Sequence, residues 1–180
     1  MPKKPTIKGI FVKSHINSLR GKKGQNAVSE LERRFGRSIS FKNSDNVLVS
    51  DEVKIIEICL DLLSDEQLTG DRRAYEAGRL HFQNFTTTPL AKIIFSIFKK
   101  NFKLIMLNSD KIAGHVFSGV KFSSVELSGN SVKVVMQNND YPIDHFKGLF
   151  QEWMNYAGLT GSIEARISED NAYEYIMIWN

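Results

Sequence analysis

Hydrophobic positions recur at helical spacing through the first two thirds of the chain and at alternate positions through much of the last third. Ile7 to Val12 is a short apolar opening around Gly9, expected to be extended or to run directly into a helix. Ser14 is suited to cap a short helix through Leu19, which Gly21 and Gly24 should end. Ala27, Val28, Leu31 and Phe35 then mark one face of a helix from Asn26, stopped by Gly36. Residues 38–49 are polar and turn-rich, with Ile39 and Phe41 expected to tuck inward. Ser50 or Asp51 should cap the next helix. Between Val53 and Leu63 the charges of Lys54, Glu57 and Asp61 form one narrow stripe, so this helix belongs at the centre of the core.

From Asp71 to Phe85 the pattern places Tyr75, Gly78, Phe82 and Phe85 on one side of a helix. Glycine costs about 1 kcal/mol relative to alanine in a helix interior, so Gly78 predicts close backbone packing. Thr88 as N-cap and Pro89 at the first helical position open another helix, with Leu90, Ile93, Ile94, Ile97 and Phe98 expected to be buried. One or two short helical turns follow between Phe102 and Val116. After Ser118-Gly119 the period changes: Val120–Leu127 and Ser131–Asn138 read as strands around the turn Ser128-Gly129-Asn130. Phe146, Leu149, Phe150, Trp153 and Tyr156 mark a core-facing helix ending at Gly158. Ile163, Ala165 and Ile167 and then Ala172–Trp179 supply two more strands. The fold class is α+β: one domain over 1–180, mainly helical through 118, then a strand–strand–helix–strand–strand antiparallel sheet.

Composition adds constraints. A chain of 180 residues with 42% hydrophobic and 24% charged residues can bury a core without covalent staples. Its one cysteine, Cys59, excludes an internal disulfide and any multi-cysteine metal site, and suggests a reducing, cytoplasmic setting. No apolar h-region follows Met1, and the longest apolar stretch, Leu90–Leu107, is interrupted by Lys92, Lys99, Lys100 and Lys103. That stretch reads as a buried helix pair, not a transmembrane segment. Ten lysines and arginines against Glu30 and Glu32 give residues 1–37 a net charge of +8, leaving −4 for the rest. Such polarity suits a nucleic acid, an anionic surface or a self-complementary assembly, although the plainer account is a solvated basic face.

Candidate chemistry is sparse. No phosphate-cradling glycine loop or nucleophile elbow is present, and no carboxylate pair stands out, since Asp51, Glu52, Glu57, Asp61, Asp65 and Glu66 are of the type that helix first turns attract. His15, His81, His115 and His145 lie far apart without the i, i+4 pairing of a helical zinc site. No metal, cofactor or catalytic residue is therefore expected, and the protein reads as a non-enzyme. His81, beside Phe82, is expected to be a hydrogen-bonded structural residue, and Cys59 a small core hydrophobe.

The order of several short motifs carries a family resemblance. Lys8-Gly9-Ile10-Phe11, Leu31-Glu32-Arg33-Arg34-Phe35-Gly36, Tyr75-Glu76-Ala77-Gly78-Arg79, Phe85-Thr86-Thr87-Thr88-Pro89-Leu90 and Trp179 occur in sequence. The chain resembles an uncharacterised myxobacterial-type domain family of about this length. That family is itself distantly similar to the haem nitric-oxide/oxygen-binding domains, the 4-vinyl reductase domains and the transport-particle subunits. The resemblance implies an N-terminal helical part and a C-terminal sheet. It also implies an iron-ligating histidine shortly before Phe117-Ser118-Gly119 and a Tyr-x-Ser-x-Arg motif after the second strand. Asp110 and Gln137-Asn138-Asn139-Asp140 stand in those places, so a haem-free domain is expected. The zinc-binding cysteines of the reductase domains are missing too, whereas the acyl-chain channel of the transport-particle subunits draws attention to Cys59.

The expected function is a ligand-sensing or regulatory module with a small apolar ligand held between helices and sheet by Ile55, Cys59, Phe82, Phe85, Phe98 and Phe117. The alternatives are a homodimeric protein-interaction scaffold whose core is solid, and nucleic-acid binding through the basic segment.

Overall fold

The computed structural model describes residues 4–180. In chain order the elements are β1 (Thr6–Lys8), α1 (Gly9–Phe35), β2 (Asn46–Leu48), α2 (Val49–Leu63), α3 (Gly70–Phe85), α4 (Pro89–Phe98), α5 (Phe102–Leu107), α6 (Ser109–Val116), β3 (Phe117–Ser118), β4 (Lys121–Ser128), β5 (Ser131–Gln137), α7 (Ile143–Tyr156), β6 (Gly161–Ile167) and β7 (Tyr173–Trp179). The four long strands form an antiparallel sheet in the order β4-β5-β7-β6, and the three short ones a second sheet in the order β2-β1-β3.

Alternation decides which face of the large sheet is covered. Val132, Val134, Met136, Tyr175 and Met177 are fully buried, while Lys133 and Ile178 point the other way and stay partly or well exposed. Helix α7 lies across the covered face. Phe150 stacks edge-on against Tyr175 with centroids 5.3 Å apart, and the Tyr175 hydroxyl donates to the Ile143 carbonyl at 3.0 Å.

The closest helix–helix approach joins α3 to α7, and glycine on both sides permits it. A β-carbon built on Gly78 would sit 1.7 Å from the His145 carbonyl oxygen, and one on Gly148 would sit 1.9 Å from that of Tyr75. The close packing predicted at Gly78 is present, with a reciprocal partner on the opposing helix.

Several local expectations are corrected. The first helix starts at Gly9 because backbone carbonyls from the 42–45 loop cap it: Gly9 donates to Asp45 and Ile10 to Asn43. Ser14 is thus inside the helix, its hydroxyl donating back to Phe11. The break falls at Gly24 (φ 79°), while Gly21 stays helical. Neither Ser50 nor Asp51 caps α2. It starts at Val49, whose N–H donates to Pro5, placing Asp51 and Glu52 in the first turn. Thr88 does cap α4, but that helix is not buried as expected: Ile93 and Ile97 are 55% and 66% exposed. Lys99, at φ 53°, ends α4 and turns the chain into α5. The small sheet was not anticipated, because strands of two or three residues show no alternation.

The crossing yields a contrast. Gly78→Ala should cost about 2–3 kcal/mol or prevent folding, whereas Gly21→Ala, with open space around it, should raise stability by up to about 1 kcal/mol. Urea denaturation of both variants checks this, and equal effects would contradict a tight helix contact.

Candidate functional site

Four helices bring their polar residues to one point inside the core. His15 comes from α1, Glu52 from the first turn of α2, His81 and Asn84 from α3, and His145 from α7; all five side chains are buried. The register of each helix forces this. Glu52 shares the inner face of α2 with Ile55, Ile56 and Cys59, and His15 shares that of α1 with Phe11, Val12 and Leu19. His81 and His145 are brought together by the glycine crossing, because Gly78 lies three residues before His81 and packs on the carbonyl of His145 itself.

His15 Nε2 donates to Glu52 Oε1 at 2.8 Å, and the Asn84 side-chain amide meets His15 Nδ1 at 3.0 Å. His81 Nδ1 lies 3.0 Å from His145 Nε2 and 3.5 Å from Glu52 Oε1. Ligand-capable atoms of His15, Glu52 and His81 all fall within 4.8 Å of one another. His145 Nδ1 is sealed from solvent without a hydrogen-bond partner, and Glu52 Oε2 and the Tyr141 hydroxyl, which interact with each other, make no hydrogen bond of ordinary length. A buried orphan costs roughly 1–3 kcal/mol, so the cluster is a polar site maintained against stability.

Electrostatics are set by burial and by Glu52. Burial pushes the Glu52 carboxyl up, but the adjacent imidazoles of His81, His15 and His145 outweigh it and hold the group below the usual carboxylate range. Burial pushes His81 down to about 3 and His145 down to about 4, so both rings are neutral near pH 7. Tyr141 is raised well above its ordinary value, first by burial and then by the charge of Glu52.

A cavity of about 60 Å³ abuts this cluster, between α3, α5, α6, α7 and the sheet. His81 belongs to both, since its ring also lines the cavity. The rest of the wall is aromatic and aliphatic, including Phe82, Phe85, Met106, Phe117 and Phe150. Ser109 Oγ and Trp153 Nε1, on residues of that wall, are buried without partners.

Of the residues expected to line a pocket, Phe82, Phe85 and Phe117 lie on this wall. Ile55 and Cys59 are buried on α2 and Phe98 is half-buried at the end of α4, none of them on the wall. Burial, then the Glu52 charge, pushes the Cys59 thiol up to about 12, which makes it a poor nucleophile for an acyl group. In the basic segment Arg33 and Arg34 pair with Glu30, Arg37 pairs with Asp51, and Lys13 bonds Asn43; Lys3 lies outside the described residues. No helix among the described residues is long and apolar enough to cross a membrane.

This arrangement of helices and sheet has close structural counterparts. An oxygen-binding H-NOX domain related to soluble guanylate cyclases, in its oxygen complex, superposes with a TM-score of 0.65 over 96% of this chain and 95% of that one, at 13% identity. The fold is that of the H-NOX domains. An Fe(II) unliganded H-NOX protein from K. algicida gives 0.64 at 14% identity over 96% of both chains. A mutant H-NOX of T. tengcongensis gives 0.59 at 13% identity over 96% of this chain and 97% of that one. No protein-family model and no curated protein sequence matches the chain.

One H-NOX structure is described in terms of haem distortion. For a haem, an iron ligand and cationic partners for the propionates would be needed. Among the lining residues there is no lysine or arginine, and the one imidazole, His81, already faces His145 and Glu52. On α6, Asp110 and His115 are exposed, away from the cavity. About 60 Å³ is also far below the roughly 300–1,000 Å³ of sites for drug-sized ligands. These residues do not fit a haem.

Neutral buried histidines fix the sign of the acid response. Between the ordinary histidine value of 6.5 and the depressed values of about 3 and 4, the unfolded chain binds protons that the folded chain refuses. Stability should therefore fall as pH drops below about 6.5. A urea midpoint unchanged between pH 6.5 and 4.5 would refute neutral imidazoles. Cys59 should resist an alkylating reagent in native protein and react fully in denaturant, as mass spectrometry reads directly.

Proposed function

We propose that this chain is a haem-free sensing module of the H-NOX fold, non-catalytic and cytoplasmic, of the myxobacterial-type family that its motifs resemble. Its ligand is a small, mainly apolar molecule carrying a hydrogen-bond acceptor. The observation that carries this reading is the cavity wall: apolar throughout except for His81 and two buried donors without partners, Ser109 Oγ and Trp153 Nε1. Apolar surface excludes water and accepts the body of the ligand, and the donors orient it. The size of the cavity, about 60 Å³, limits the ligand to a few heavy atoms. One H-NOX structure of this fold is described as an oxygen complex, a ligand of that scale.

A homodimeric scaffold is a second reading, favoured by the exposed Ile93, Ile97 and Leu104 on α4 and α5. Apolar side chains exposed together mark a contact surface on a soluble domain. Light scattering should then show a dimer that Ile97→Lys converts to monomer; a monomeric wild-type chain removes this reading.

The cavity reading is tested with xenon, an apolar probe of suitable size. Xenon should bind the wild-type chain saturably, seen as amide shifts at Phe82, Ala113 and Trp153. Ala113→Leu, which fills the cavity from α6, should abolish those shifts while leaving the fold intact. Wild-type shifts that are absent or spread over the surface would overturn the proposal.

A further inference from the structure

The geometry points to a second, separate site: His15, Glu52 and His81, with His145 beside them, form a buried centre for one divalent transition-metal ion. It does not depend on the cavity ligand. Three observations converge on it.

The first is donor placement. His15 Nε2 to Glu52 Oε1 is 2.8 Å, His81 Nδ1 to Glu52 Oε1 is 3.5 Å, and His81 Nδ1 to His145 Nε2 is 3.0 Å. Bonds of about 2.0–2.1 Å to a tetrahedral ion place neighbouring donors about 3.3 Å apart. The observed separations bracket that value, and the ligand atoms of His15, Glu52 and His81 all lie within 4.8 Å of one another.

The second is unsatisfied chemistry. Glu52 brings a full negative charge to a point with no lysine or arginine bonded to it. Its Oε2 has no hydrogen bond of ordinary length, and its interaction with the Tyr141 hydroxyl is between two buried groups. Two imidazole nitrogens, of His81 and His145, face each other across 3.0 Å. A cation held at this point neutralises the buried carboxylate.

The third is an outer support. The Asn84 side-chain amide holds Nδ1 of His15 at 3.0 Å, leaving Nε2 aimed at the cluster. With its amide turned, Asn84 accepts from a protonated Nδ1, the tautomer that a ligating Nε2 requires. Two imidazole nitrogens and one carboxylate oxygen, with a third imidazole adjacent, suit zinc or iron(II) and not magnesium or calcium, which take oxygen ligands.

Because the site is sealed, loading has to accompany folding. The whole chain is unfolded in guanidinium with a chelator, freed of metal and chelator by desalting under denaturant, and refolded with cobalt(II) as the probe. One equivalent should survive gel filtration, with the intense visible bands of tetrahedral cobalt, and zinc should displace it. Elemental analysis of the chain as isolated separates zinc from iron as the native occupant. His81→Gln should lose the retained equivalent. Asn84→Ala, which touches no metal, should keep the helical circular dichroism and bind about 10–100-fold more weakly. Refolded wild-type chain that retains no cobalt would overturn the proposal even if the variants fail to fold, and so would retention unchanged in a folded His81→Gln variant.

Discussion

The reciprocal glycine contact between α3 and α7 is the constraint on which the interior depends. Neither helix could carry a side chain at Gly78 or Gly148 and keep this separation. Their closeness sets the distance from helix layer to sheet, because α7 is also the element whose Phe146 and Phe150 pack on Tyr175 of the large sheet. It also sets the chemistry, since the carbonyl against which Gly78 packs belongs to His145. One backbone contact thus serves packing on one side and imidazole placement on the other.

The interior built around that contact has two unlike compartments sharing a wall. On one side of His81 lies a dry, aromatic space; on the other lies a carboxylate among imidazoles. A side chain common to both is a natural point of coupling, because whatever moves the ring in one compartment is felt in the other. The H-NOX fold supplies the frame, while the residues in it depart from haem chemistry: serine and aspartate open α6, and no lysine or arginine is among the residues lining the cavity.

Much of the architecture was legible in the sequence. Alternation of Val132, Val134 and Met136 against Lys133 and Gln137 announced a one-sided strand, and the cost of Gly78 announced a close approach. The polar cluster was not legible, for a physical reason. Its members are separated by 37 residues between His15 and Glu52 and by 64 between His81 and His145, so no local spacing relates them. Glu52 in particular resembles the acidic residues that any helix first turn attracts. The available signal was its phase: Glu52 shares a face with Ile55, Ile56 and Cys59, where a solvated carboxylate has no place. The exposure of Ile93 and Ile97 escaped for the opposite reason, since apolar spacing marks a face without saying what covers it.

The separation of those residues along the chain also bears on how the protein is made. During synthesis α1, α2 and α3 leave the ribosome long before α7, so Glu52 and two of its imidazole neighbours wait in a half-built interior that water can enter. Only the arrival of α7, seated by its glycine, shuts the water out. Closure of the charged interior is therefore a late event, and until then the nascent chain stays open to whatever the surrounding solution offers it.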